Sequence, residues 1–251
     1  MKVETITIDL WGTLLFDGPA SDNRYKKRRM VDFQSLLAAA GLSASGSSLD
    51  RAYEASGAYL SRIWSTQRDV PAADHVRAIL AGVDPVLPRR VPPALFSALV
   101  EAYARPILLL PPAVDDGALA ALETLKGAGY RLALVSNVMR TPGGTLRQLL
   151  GQFRLLGYFD HTTFSDEVGI RKPASEIFAM TLRVVGGDAR TAVHVGDDPV
   201  LDVQGAQAAG MRVIQVVSSA ARRNSVFPDL AISRLAELPA AIERLGVSRR
   251  S

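Results

Sequence analysis

Cysteine is absent from the 251 residues, which excludes a disulfide framework, a cysteine nucleophile and any thiolate metal site. The absence fits a reducing compartment, and the chemistry has to come from oxygen and nitrogen. Histidine is scarce too. His75, His161 and His194 are too few and too dispersed for a zinc site, and His194, inside a strand-like run, reads as a hydrogen-bonded core residue. No apolar run approaches the roughly 20 residues that span a bilayer. The opening MKVETITIDL has neither a basic n-region nor an apolar h-region. The expectation is a cytoplasmic protein with no membrane partner.

What is present is an ordinary globular composition, 48% hydrophobic, in a chain long enough for one large core or two modest ones. The net charge is +4 and the sequence pI about 9.6, so an anionic partner has to be considered. The basic residues are mostly scattered, and no nucleic acid is expected. The exception is the run Arg24-Tyr25-Lys26-Lys27-Arg28-Arg29, which reads as a solvated helix face, the alternative being attraction of an anionic substrate. Arginine outnumbers lysine 24 to 5, a bias without mechanistic content.

Thr5 to Leu10 is a short β-rich apolar run that ends in Trp11-Gly12-Thr13, a glycine-marked loop. From Gly117 onward helix and strand patterns alternate. Gly117 to Gly129, Ser175 to Val185 and Val200 to Gly210 read as helices, and Arg131 to Val135, Thr191 to Val195 and Arg212 to Val217 as strands. Leu230 to Ser233 is a possible last strand before a C-terminal helix. This rhythm predicts an α/β fold, a doubly wound parallel sheet with helices on both faces.

Residues 17–112 break the pattern. They carry helix-like segments at Met30 to Ala40, Leu49 to Ile63, Ala73 to Ala81 and Pro93 to Ala104, with a loop at Gly41 to Ser48. Prolines 106, 111 and 112 suit an extended exit. The expected organisation is a core of residues 1–16 and 113–251 with a helical cap domain at 17–112 inserted in it. Thr141-Pro142-Gly143-Gly144 lacks the ending of a phosphate-binding Walker loop and reads as a mobile turn. Tyr59 and Trp64 read as cap core or as stacking surfaces.

Open parallel sheets bind ligands beyond the carboxyl ends of their strands. The first strand delivers Asp9 in Asp9-Leu10-Trp11-Gly12-Thr13-Leu14, and the next delivers Ser136-Asn137. Lys172-Pro173 follows, and a later strand delivers Gly196-Asp197-Asp198 with Asp202 four residues on. Each piece alone is ordinary turn or cap chemistry. Their order, all at strand ends, is what carries information.

In these motifs, and in Gly205-Ala206 and Ala209-Gly210-Met211 after them, the chain from Ile6 to Met211 resembles the haloacid dehalogenase-like superfamily. The resemblance implies a C1-type cap closing over the site and a covalent nucleophile, Asp9, that splits one displacement into two. It implies Mg²⁺ held by Asp9, the backbone carbonyl of Trp11 and Asp197, with Asp198 and Asp202 orienting metal waters or Lys172. Ser136 and Lys172 would bind the transferring group, Asn137 would fix the loop, and Thr13 would hydrogen-bond Asp9 or its loop. The expected partner is a small anionic molecule, and the expected state a monomer or homodimer.

One position departs from the family. Its phosphatases place a second aspartate two residues after the nucleophile to protonate the leaving alcohol, and here that residue is Trp11, whose indole N–H only donates. Losing a general acid/base typically costs ~10² to 10⁴-fold, so an efficient monoesterase is not the expectation. A hydrolase of small phosphorylated metabolites whose leaving group needs no such help, or finds it elsewhere, is the leading reading. A phosphonate hydrolase is a variant needing a Schiff-base lysine, Lys26 or Lys27, its pKa lowered by the basic run. A 2-haloacid dehalogenase, with an arginine such as Arg24 or Arg28 receiving the halide, and a non-catalytic binder of a phosphorylated ligand are the alternatives.

Overall fold

A computed structural model of the chain describes residues 2–18, 20–217 and 227–247; residues 218–226 and 248–251, inside the expected core range, lie outside the described ones. Six parallel strands form the main sheet: β1 (Thr5–Ile8), β4 (Arg131–Ser136), β5 (His161–Phe164), β6 (Ala192–Gly196), β7 (Arg212–Val216) and β8 (Leu230–Ile232), in the order β5-β4-β1-β6-β7-β8. Strand β1, which leads into Asp9, therefore lies between β4 and β6, which carry Ser136 and Gly196. The ends of neighbouring strands are thus the ends that carry the motif loops.

Alternation within the strands sets the two faces. Ile6 and Ile8 pack with Leu132, Leu134, Val193 and Val195 in the larger apolar cluster, and Val135, Ala192 and Val213 join Ile177 and Phe178 in another. Burial of each such Leu, Ile or Val contributes about 1.5–3 kcal/mol. Thr7 and His194 are buried polar residues at paired positions of β1 and β6. Helices α7 (Ala118–Gly127), α8 (Gly143–Gln152), α9 (Ser165–Val168), α10 (Ser175–Val184), α11 (Gly205–Ala208) and α12 (Leu238–Val247) alternate with the strands.

A short antiparallel pair, β2 (Leu15–Phe16) and β3 (Ala113–Val114), stands where residues 17–112 leave and rejoin the sheet. Between them run α1 (Ser21–Ala39), α2 (Gly46–Trp64), α3 (Ala72–Val83), α4 (Leu87–Arg90), α5 (Pro93–Ala104) and α6 (Pro106–Leu109). These helices bury an apolar cluster of their own around Phe33, Leu37, Leu49, Ile79, Leu80 and Tyr103. Ser45 caps α2 by accepting from the Ser48 N–H at 3.1 Å. No helix among the described residues is long and apolar enough to cross a membrane.

Several local expectations need correcting. Helix α1 begins at Ser21, not Met30, because the basic run is part of it, and that run is not wholly solvated: Arg29 is 3% exposed and Tyr25 is buried. Pro106 does not lead an extended exit but opens α6, where its missing N–H costs nothing. Gly143 and Gly144 are the first turn of α8, not a loose loop. A Cβ at Gly143 would stand 2.5 Å from Cβ of Phe164, and the Gly143 N–H donates to Asp166. The segment read as one helix from Val200 starts as a π-type turn, Pro199–Gln204, before α11. Strand β5 had no apolar alternation in His-Thr-Thr-Phe to announce it.

His75 on α3 is 2% exposed, with Nδ1 at 3.0 Å from the Tyr103 hydroxyl and no partner on Nε2 among the described residues. Burial pushes its pKa down from 6.5 to about 4. Between those values the unfolded chain binds a proton that the folded one refuses, so stability rises with pH across the window and levels off above it. The difference amounts to at most about 3 kcal/mol. Urea unfolding at pH 7, 5.5 and 4 should show this acid-side loss in the wild type and a shallower one in His75→Phe; equal slopes would refute the assignment.

Candidate active site

The carboxyl ends of β1 and β6 bring Asp9 and Asp197 together, and the following turn adds Asp202. Oxygens of these three carboxylates lie within 4.8 Å of one another. Gly12, at φ 77°, lets the loop after β1 fold tightly against this cluster, since a Cβ there would collide with the Asp197 carboxylate. Gly196 is required in the same way beside Asp202. Gln215 on β7 donates to the Asp197 carbonyl at 2.9 Å and holds that loop from the other side.

Lys172 is the centre of the arrangement. Its Nζ is 2.5 Å from Oδ1 of Asp9 and 2.6 Å from Oδ1 of Asp202, with all three side chains almost fully buried. Burial by itself would lower the lysine pKa, but the Asp202 and Asp9 carboxylates more than offset it and hold the ammonium charged. Burial also works against an ionised Asp202, and Lys172 and His194 together hold that carboxyl well below its usual range. Asp9 fares differently: burial raises it to about 7 in spite of Lys172. Asp197 is likewise raised by burial, then by Asp202, to about 6.

A buried relay extends from this centre into the sheet. His194 Nε2 is 2.9 Å from Asp202 Oδ1, and its Nδ1 is 2.8 Å from Thr7 Oγ1. Burial lowers the His194 pKa, so the ring is neutral. An ionised carboxylate only accepts, which assigns the proton to Nε2 and makes the Thr7 hydroxyl the donor to Nδ1. The second Asp202 oxygen accepts the Asp198 N–H at 3.0 Å.

The remaining residues singled out in the sequence fall as follows. Asn137 uses its amide on the lysine loop, donating to the Lys172 carbonyl at 3.0 Å and accepting the Lys172 N–H at 2.8 Å. Both atoms thereby position the lysine loop. Ser136 is fully buried at the end of β4, its hydroxyl donating to the Asn137 carbonyl at 3.3 Å. Thr13 makes none of the expected hydrogen bonds, its buried hydroxyl having no partner among the described residues. The Asp198 side chain does not reach Lys172 but accepts the N–H groups of Val200 and Leu201, both at 2.8 Å. Trp11 is half-buried and lines a cavity of about 670 Å³ between the core loops and helices α1 and α2.

Other contacts had no signal in the sequence. Asp69 and Arg171 form a buried ion pair at 2.5 Å that ties the insertion to the residue before Lys172. Asp69 also accepts from Ser165 and from the Trp64 indole at 3.0 Å, and Trp64, which also lines the cavity, lies against the Arg171 guanidinium. Nothing at Arg68-Asp69 or at Arg171 in the sequence marks that role. Lys26 is held by Glu54 at 2.6 Å and Asp50 at 3.6 Å. Its hydrogen bond with Glu54 raises its pKa, the opposite of what the basic run suggested and of what a Schiff-base lysine needs. Lys27 is exposed.

Comparison with known proteins agrees with this geometry. A family model described as haloacid dehalogenase-like hydrolase matches residues 3–210. The phosphoglycolate phosphatase of Aquifex aeolicus is 32% identical over 117 residues, 47% of this chain and 53% of that protein. The human haloacid dehalogenase-like hydrolase domain-containing protein 3 is 35% identical over 136 residues, 53% of each chain. The matches thus span about half the length of these curated relatives. Among solved structures, a 2-haloacid dehalogenase from Pseudomonas syringae superposes with a TM-score of 0.70 at 22% identity, covering 97% of this chain and 99% of that one. A phosphatase from Thermococcus onnurineus gives 0.60 at 24%, covering 96% and 98%; both show a shared fold. With four motif loops converging on one buried lysine and a family match over most of its length, the chain belongs to the haloacid dehalogenase-like hydrolases.

Proposed function

We propose that this hydrolase is a Mg²⁺-dependent phosphatase of small phosphorylated metabolites, working through an aspartyl intermediate on Asp9, with residues 17–112 as the cap that selects the substrate. The observation that carries the reading is the buried Lys172 ammonium bound to Asp9 and Asp202 with Asp197 beside them. A carboxylate oxygen of Asp9 attacks phosphorus, the ester oxygen leaves, and water then attacks phosphorus in the aspartyl phosphate to regenerate the carboxylate. Lys172 fixes Asp9 in place and offsets charge on the transferring group. The phosphatase names among the relatives, including a Thermus thermophilus phosphoserine phosphatase at 34% identity over 118 residues, support the same class of reaction.

The donor set fits a hard divalent cation. Asp202 commits its oxygens to Lys172, His194 and the Asp198 N–H, which leaves Asp9 and Asp197 as the carboxylates to offer oxygen, with the Trp11 carbonyl as the family's third ligand. Mg²⁺ there would offset the repulsion between a phosphate and these carboxylates. Asp202 then acts as the group that aims Lys172. Trp11 still cannot protonate a leaving alkoxide, so good leaving groups are favoured. Its ring on the cavity wall also keeps a second reading, displacement of a halide that departs unprotonated.

Three outcomes follow. Wild type should hydrolyse p-nitrophenyl phosphate with Mg²⁺ and act at least ~10²-fold more slowly on an unactivated sugar phosphate, with both lost in Asp9→Asn; Mg²⁺-independent chloride release from 2-chloropropionate would replace this reading by the second. Mg²⁺ should raise the Tm of wild type but not of Asp197→Asn, and no Tm change in wild type would refute the metal site. Asp202→Asn should lose about 3–5 kcal/mol of stability in urea unfolding, because it breaks a buried ion pair, and its kcat should fall with it.

A further inference from the structure

The cavity beyond Trp11 and Gly12 contains cations that the reaction at Asp9 does not use. Arg29, on α1, is 3% exposed. Its Nε donates to the Tyr103 carbonyl at 2.7 Å, its Nη1 to the Tyr53 hydroxyl at 3.0 Å, and its Nη2 to the Thr141 hydroxyl at 3.3 Å and the Arg140 carbonyl at 3.4 Å. Arg140, in the loop after β4, donates from Nη1 to the Ser56 and Tyr103 hydroxyls and from Nη2 to the Tyr53 carbonyl. Its guanidinium lies 4.0 Å from the centre of the Tyr53 ring, and that of Arg29 lies 4.6 Å from the centre of the Tyr103 ring.

Every one of those acceptors is neutral. Among the described residues neither arginine forms an ion pair, although both line the cavity. The nearby Glu54 is held by Lys26 and feels Arg140 only as the weakest of the causes that lower its pKa, and Asp17 accepts from the Tyr25 hydroxyl at 3.1 Å. Arg29 is withdrawn from water and Arg140 partly so, and guanidinium groups held this way without an ion pair are costly unless an anion joins them. The aromatic rings lie beneath both guanidinium groups, and among the described residues Arg140 Nε–H makes no hydrogen bond, so it can join a fork around an oxyanion. The volume suits a metabolite of ordinary size.

We infer that the natural substrate carries two anionic groups: a phosphoryl group that reacts at Asp9 and, at the other end, a carboxylate or second phosphate held between Arg29 and Arg140. This rests on the reading of Asp9 as the point of phosphoryl attack. The pair also spans the insertion and the core, one arginine coming from each, so a ligand seated there would bind both and favour closure. A phosphate ester without a second anionic group would leave the guanidinium pair unpaired in the complex and bind more weakly.

The test measures binding without turnover, by isothermal titration calorimetry of the full chain in Mg²⁺ buffer. The probes are 3-phosphonopropionate, the methyl ester of its carboxyl group, and propane-1,3-bisphosphonate. Wild type should bind the acid or the bisphosphonate at least tenfold more tightly than the ester, and the preferred one identifies the second group. Arg140→Gln should erase the preference, and Arg140→Lys, which keeps the charge without the fork, should retain part of it. Equal affinity of wild type for acid, bisphosphonate and ester would overturn the inference, as would a preference that survives in Arg140→Gln. Because no catalysis is read, a protein active on p-nitrophenyl phosphate could still fail here, and an inactive one could pass.

Discussion

The site depends on one ammonium group held between two carboxylates. Lys172 is buried, and so are Asp9 and Asp202; none of the three could stay ionised there alone, because burial penalises each charge by far more than a surface pair returns. Their mutual attraction resolves this unevenly. Asp202 and Lys172 remain charged, while Asp9 and Asp197 are pushed towards neutrality. The loops obey the same requirement: Asn137 clamps the lysine backbone, His194 and Thr7 complete the hydrogen bonds of Asp202, and Gly12 and Gly196 leave room for carboxylates where a methyl group would not fit.

Around that centre the architecture separates two tasks. The parallel sheet supplies rigid strand ends, and the helical insertion supplies a wall and a cavity. The Asp69–Arg171 pair joins the two at the residue preceding Lys172, so the insertion is tied to the same segment that carries the buried ammonium. Arg29 and Arg140 meet on the wall of the cavity. Trp11 lies at the boundary, where its ring shapes the pocket but cannot exchange a proton.

The reach of sequence reasoning varied with the range of the interactions. The alternation from Gly117 onward, and the helix at Pro93 to Ala104, were legible because periodicity is a local property. Strand β5 was missed because His-Thr-Thr-Phe is buried by neighbours, not by its own pattern, and α8 because its opening glycines are poor helix formers whose role is to let Phe164 approach. The run Arg24 to Arg29 was legible as one helix face but not as residues of opposite fate, since only the packing of α1 on Tyr103 decides that Arg29 is buried and Arg28 exposed.

Asp9, Ser136, Lys172 and Asp197 could be picked out from sequence because strand-end loops, in an α/β alternation, are where a parallel sheet delivers chemistry. By itself, then, the sequence determined the fold class, the order of the loops, the family resemblance they carry, and the absence of a proton donor at Trp11. Tertiary structure alone decided which carboxylates Lys172 bridges, that Asn137 serves the lysine loop, that Asp198 caps a turn, and that two arginines 111 residues apart share a cavity without an ion pair among the described residues. The physical reason is that ionisation, burial and hydrogen bonding depend on neighbours brought together across the chain, which no local pattern encodes.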